Sequence, residues 1–134
     1  MKTKFNVVCF QTNSSDVPEE NIEMLEKLFS LQKNKSIDLV CLPECVSIFT
    51  DSQLKIKDYI KDSHDLFIKF IKSKAKKLRT YILVGSSPHL RNNKKFYNRS
   101  ILINKFGKEV FYYDKINLFD VSLGKNENYF ETKY

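Results

Sequence analysis

Short β-rich apolar runs alternate along this chain with amphipathic helical stretches, and that alternation limits it to a small group of folds. Phe5 to Gln11 (FNVVCFQ) is the first run and predicts a buried strand. Ser14, Ser15 and Asp16 follow as candidate helix caps. Glu19 stands at capping-box spacing from Asp16, and Pro18 suits a first turn. The helix then predicted carries Ile22, Leu25, Leu28 and Phe29 along one side. Ile37 to Leu42 (IDLVCL) is a second strand, stopped by Pro43. Val46 to Asp51 reads as irregular, and a second helix is expected to begin near Ser63, capped by its hydroxyl. Its inward stripe would be Phe67, Phe70, Ile71, Ala75 and Leu78. Tyr81 to Val84 makes a third strand, ending at Gly85, Ser86 and Ser87. After a polar loop at His89–Lys95, Tyr97–Asn104 and Glu109–Tyr113 read as two strands. The turn Lys105–Lys108 between them predicts a hairpin. The expectation is an α/β fold: a mainly parallel sheet backed by helices and finishing in that hairpin.

A length of 134 residues suits one domain spanning 1–134, and 42% hydrophobic with 29% charged residues excludes a disordered tail. No apolar run approaches the roughly 18 residues of a membrane span, and MKTKFNVVCFQTN turns polar too soon for a secretory signal. The net charge of +7 raises the question of nucleic acid. Nearly all the cations are lysines, however, and the arginines are Arg79, Arg91 and Arg99. Arg is the better fork for phosphate and base edges. The densest run (Lys69, Lys72, Lys74, Lys76, Lys77 and Arg79) is expected to be the wet face of the second helix, so no nucleic acid or membrane partner is anticipated. Cys9, Cys41 and Cys45 are odd in number, which argues against a disulfide framework and for a reducing, cytoplasmic setting. Each reads as a small buried hydrophobe. His64 and His89 lie far apart in sequence and no Cys/His spacing matches a zinc site, so neither metal nor cofactor is expected.

Sheets of this class place chemistry beyond the carboxyl ends of strands. Glu44, in Cys41-Leu42-Pro43-Glu44-Cys45, leaves a strand that looks buried on both faces. Loss of hydration there would raise its pKa and suit it to general-base work. A helix-start or rim carboxylate is an equal reading. Lys115 lies in Tyr-Tyr-Asp-Lys-Ile-Asn-Leu-Phe-Asp, residues 112–120, where an ammonium among aromatics could face a developing oxyanion. Taken alone, the favoured reading is an ordinary surface lysine pairing with Asp114 or Asp120, because lysine is so common in this chain. Ser86 and Ser87 have no His in a nucleophilic motif and too short a glycine loop for phosphate, so they read as a polar strand exit.

Taken together, Leu42-Pro43-Glu44, Tyr97-Asn98-Arg99-Ser100 and the 112–120 segment make the whole chain resemble the nitrilase superfamily of carbon–nitrogen hydrolases, closest to the Nit-type, ω-amidase-like members. The resemblance implies the amino-terminal half of an α-β-β-α sandwich. It also implies a Glu-Lys-Cys triad with Glu44 as base and Lys115 as stabiliser of the tetrahedral intermediate. Glu131, in Tyr129-Phe130-Glu131, matches the family's second glutamate, which helps position Lys and substrate. Asn98 matches a hairpin-strand asparagine taken as structural. The family's nucleophilic Cys lies beyond the second glutamate, and none of the three cysteines here fits its place.

The expected activity is hydrolysis of a small non-peptide amide or nitrile to carboxylate and ammonia, with this chain inactive alone. Half a sandwich would also expose an apolar sheet face, so a homo-oligomer or other self-association is expected. The alternative is a non-catalytic half-fold that binds a partner subunit. Selectivity would rest on loops such as Val46–Lys61.

Overall fold

The computed structural model describes residues 4–33, 35–92, 95–122 and 128–130, with side chains for 4–33, 35–90 and 96–120. The sheet is mixed rather than mainly parallel. Strands β1 (Val7–Cys9), β2 (Leu39–Cys41) and β3 (Tyr81–Asn92) run parallel; β4 (Lys95–Ile103) and β5 (Glu109–Asp114) complete it in antiparallel sense, in the order β1-β2-β3-β4-β5. Two further short strands, β6 (Asp120–Ser122) and β7 (Asn128–Phe130), pair with each other. The expected hairpin is present as β4–β5. The expected polar loop at His89–Lys95 is instead largely strand, because β3 runs on past Ser86 and Ser87 as far as Asn92. Those serines are therefore buried inside a strand, not at its exit.

Helix α1 spans Pro18–Ser30 with Pro18 in its first turn. The predicted capping box does not form: Val17 is the N-cap and Asp16 pairs with Lys55 across the surface. Ser15 hydroxyl donates instead to Glu20 Oε2 at 2.9 Å. The second helical stretch starts earlier than expected. Ser52 caps α2 (Gln53–Asp58), a π-helical turn covers Tyr59–Ser63, and α3 runs over His64–Leu78. Ser63 makes no side-chain cap.

The core lies between the helices and one sheet face. Leu25 and Phe29 of α1 and Phe67, Ile68, Ile71 and Ala75 of α3 meet Val40, Ile82, Val84, Ile101 and Ile103 of the sheet. Phe70 and Leu78 are partly buried at the margin of this cluster. Lys74 departs from the wet-face expectation. It is buried, with its ammonium paired to Glu26 of α1 and set over the Phe70 ring at 5.1 Å, so its stem covers apolar surface between the helices.

Among the described residues the opposite sheet face carries no helix. Alternation along the paired strands turns Val7, Tyr81, Phe111 and Tyr113 to it, and all four are exposed. Cys9 lies on this face in register with Cys41 and is exposed, so it is not the buried hydrophobe expected; Cys41 and Cys45 are intermediate. For the same reason β2 is not buried on both faces.

Candidate active site

Glu44 and Lys115, 71 residues apart, meet. Lys115 Nζ donates to Glu44 Oε1 at 3.0 Å, and Asn98 Nδ2 donates to the same oxygen at 2.9 Å. Three elements supply the three groups. Glu44 comes from the loop after β2, Asn98 from β4 and Lys115 from the residue after β5. Lys115 N–H also donates to Asn98 carbonyl at 3.0 Å, so the lysine is tied to its neighbour by backbone as well as by a shared carboxylate. Glu44 is not desolvated as the sequence suggested: 58% of its side chain is exposed, against 30% for Lys115. An ion pair this wet contributes little to stability, so its significance is positional.

The loop that presents Glu44 is held by β3. Ser86 Oγ accepts from Cys45 N–H at 2.8 Å, Ser86 N–H donates to Pro43 carbonyl, and Val46 N–H donates to Ser86 carbonyl. Ser87 Oγ bonds Ser47 Oγ at 2.8 Å and Tyr59 Oη at 2.9 Å. Burial pushes the Tyr59 phenol up to about 12, so it stays neutral in this network. Buried Asn21 donates to Ser47 carbonyl at 3.0 Å and Ser15 carbonyl at 2.9 Å, joining the Glu44 loop to the start of α1. Ser86 and Ser87 are thus scaffold rather than chemistry. Gly85 is glycine for a reason visible here: a Cβ would strike the backbone of Leu42 and Pro43, just before Glu44.

Lys115 has a comparable support. Arg99 forks onto Asp114, Nε to Oδ1 at 2.6 Å and Nη2 to Oδ2 at 2.9 Å, and stacks 4.1 Å over the Tyr112 ring. The Asp114 carboxylate holds the guanidinium pKa above its ordinary value. Arg99 and Asp114 oppose each other in register, one residue from Asn98 and Lys115 respectively. Sequence reasoning quoted both residues but gave neither a function. The scarcity of arginine was the available signal.

Cys41 is not an activated thiol. Burial, then the adjacent Cys9, pushes the Cys41 thiol up, the wrong direction for a nucleophile at neutral pH. Cys45 follows Glu44 with φ of 52° and its Sγ 4.0 Å from Ser86 Oγ. Among the described residues no group of three metal-ligating side chains occurs, and no helix is long and apolar enough to cross a membrane. Glu131 lies outside the described residues.

This geometry can be set beside known proteins. The model of the family described as carbon-nitrogen hydrolase matches residues 7–134. The chain belongs to the carbon–nitrogen hydrolase family. A deaminated glutathione amidase of Synechocystis is 29% identical over 115 residues, covering 84% of this chain and 42% of that protein. The omega-amidase NIT3 of Saccharomyces cerevisiae is 28% identical over 108 residues, 78% of this chain and 37% of its own length. Among solved structures, the C. elegans NitFhit protein superposes with a TM-score of 0.84 at 19% identity, over 95% of this chain and 31% of that one. A carbon-nitrogen hydrolase from Helicobacter pylori G27 gives 0.73 at 17%, over 84% of this chain and 40% of that one. The fold is therefore that of nitrilase-superfamily structures. The chain spans about two fifths of the length of the curated carbon–nitrogen hydrolases it matches.

Proposed function

We propose that this chain supplies the base and the oxyanion stabiliser of an amidase that cleaves a small non-peptide amide to carboxylate and ammonia. The observation that carries it is the convergence of Asn98 and Lys115 on one carboxylate oxygen of Glu44, at 2.9 and 3.0 Å. Membership of the carbon–nitrogen hydrolase family and relatives named as amidases support the same reading.

In this reading Glu44 takes the proton of a Cys thiol that none of Cys9, Cys41 and Cys45 supplies. The thiolate attacks the amide carbon, and the carbonyl oxygen gains the negative charge. Lys115 Nζ, already at the base, turns to that oxygen as the carboxylate is neutralised by the thiol proton. The ammonium thereby follows the charge from Glu44 to the oxyanion. Protonated Glu44 then gives its proton to the departing ammonia, and water activated by the regenerated carboxylate frees the acid from the thioester. Asn98 keeps Glu44 Oε1 in place throughout, and Glu131 is proposed to help position Lys115 and substrate.

The test is ammonia release from small primary amides, comparing the 134-residue chain with a version that also carries the sequence encoded after Tyr134. The chain alone is expected to give none. In the extended protein Glu44→Gln and Lys115→Met should each lower kcat by about 100-fold or more. Turnover by the 134-residue chain, or an extended protein indifferent to both changes, would overturn the proposal. The exposed face of Val7, Tyr81, Phe111 and Tyr113 favours a second reading, a half-fold that docks a partner subunit without chemistry. An extended protein that binds a partner but never releases ammonia would favour it.

A further inference from the structure

The β4–β5 hairpin changes register along its length, and Lys115 reaches Glu44 only because it does. Next to the turn Ile103 pairs with Glu109; from Leu102 onward the pairing has slipped by one residue, so Arg99 meets Asp114 rather than Tyr113. Such a slip turns the side chains beyond it to the other face. Apolar burial does little to choose between the two registers, because Val110, Phe111, Tyr112 and Tyr113 are all exposed. The contact that does choose is polar. In the slipped register the Arg99 guanidinium forks onto both Asp114 oxygens and lies over the rings of Tyr112 at 4.1 Å and Tyr97 at 5.4 Å. Both side chains are about one-fifth exposed, far drier than Glu44, so this bidentate pair is worth more than a surface ion pair. The unslipped register would set Arg99 against Tyr113 and forfeit the fork.

We infer that the Arg99–Asp114 fork pins the register of this hairpin and is thereby the positioning device for Lys115. The two rungs are adjacent. Arg99 and Asp114 form one, and on the next Lys115 N–H donates to Asn98 carbonyl at 3.0 Å. Alternation sends the fork to one face and Asn98 and Lys115 to the other, where both reach Glu44 Oε1. Arg99 and Asp114 act through Lys115 and are positioning residues. A lysine at 99 would keep the charge but offer a point donor in place of two parallel ones, so the fork's geometry, not its charge, holds the rung. The inference rests on the amide reading above for its bearing on turnover, whereas the contact it concerns can be measured without turnover.

Zero-length carbodiimide coupling of the 134-residue protein, read by peptide mass spectrometry, tests this. The reagent joins an amine and a carboxylate in contact as an amide. The Glu44–Lys115 product therefore reports the positioned lysine, and the Asp16–Lys55 product, from a second exposed pair, reports the fold elsewhere. Mixing isotope-labelled with unlabelled chains separates products within one chain from those between chains. Arg99→Lys should lower the Glu44–Lys115 yield about fivefold and leave the Asp16–Lys55 yield unchanged. Arg99→Asp combined with Asp114→Arg should restore most of the loss. Asp114→Asn replaces Arg99→Lys if that variant fails to fold. An unchanged Glu44–Lys115 yield, an equal fall of both products in both single variants, an exchanged pair that restores nothing, or no Glu44–Lys115 product in the unaltered protein overturns the inference. Ammonia release by the extended protein is the separate readout of the amide reading: if coupling behaves as expected and no ammonia appears, that reading fails while the pin stands.

Discussion

His64 and His89, 25 residues apart, touch in the fold: Nε2 of one lies 3.0 Å from Nδ1 of the other, with Tyr59 stacked edge-on against His64. Two imidazoles can share that contact only if one offers a lone pair, so full protonation sets donor against donor. Burial, then the His64 and Arg99 charges, pushes His89 down to about 4; burial lowers His64 against the opposing pull of Asp65 and Glu109. An unfolded histidine titrates near about 6.5. Between those values the unfolded chain binds protons that the native pair refuses, so stability present at neutral pH is lost as pH falls. Urea unfolding at pH 7 and pH 5 should differ by about 1–2 kcal/mol from this source, after allowance for solvent screening. His89→Gln should flatten that difference. Asp16 and Glu26 are held low by Lys55 and Lys74, so their contributions disappear only below the ordinary carboxylate range and leave this window clear. An unchanged slope in His89→Gln would refute the assignment.

At the level of elements, β3 is the piece that builds the site. It pairs in parallel with β2 through Tyr81–Leu83, then leaves β2 and grips the Glu44 loop through Ser86. A register shift between Val84 and Ser87 marks the change. Gly85 sits in it, and its missing side chain lets β3 lie against Leu42 and Pro43. Gly85→Ala should therefore push the loop outward, costing about 1–3 kcal/mol in urea unfolding and breaking the Glu44–Lys115 contact. An alanine variant of unchanged stability would show that the loop yields easily and that this approach does not position Glu44. A second shift, between Leu102 and Ile103 on the β4–β5 pair, decides which way Lys115 faces. Continuing the Ile103↔Glu109 register without it would set Arg99 opposite Tyr113 and turn Lys115 to the helix side. A one-residue slip reverses every side chain.

For the molecule as a whole, the helices cover one side of the sheet and leave the other to Val7, Tyr81, Phe111 and Tyr113. An exposed apolar patch of this kind is uncommon on a soluble monomer. The isolated 134-residue chain should therefore self-associate, giving a concentration-dependent sedimentation coefficient. A single monomeric species at all concentrations, melting sharply, would contradict this.

The alternation of apolar runs and amphipathic stretches was enough to foresee α1, α3, the β4–β5 hairpin and the α/β class, because these depend on local periodicity and burial of one stripe. Glu44 and Lys115 were also legible as polar groups beyond strand ends. Other features depended on residues distant in sequence. Lys74 reads as a surface lysine until Glu26 of another helix meets it, and Asp16 reads as a cap until Lys55 takes it. His64 and His89 read as unrelated until α3 packs beside β3. The exposure of Glu44, the role of Asn98 as its clamp and the Arg99–Asp114 fork were likewise fixed by strand register. Local periodicity specifies which residues turn inward. Two single-residue irregularities, which no periodicity encodes, set which of them meet.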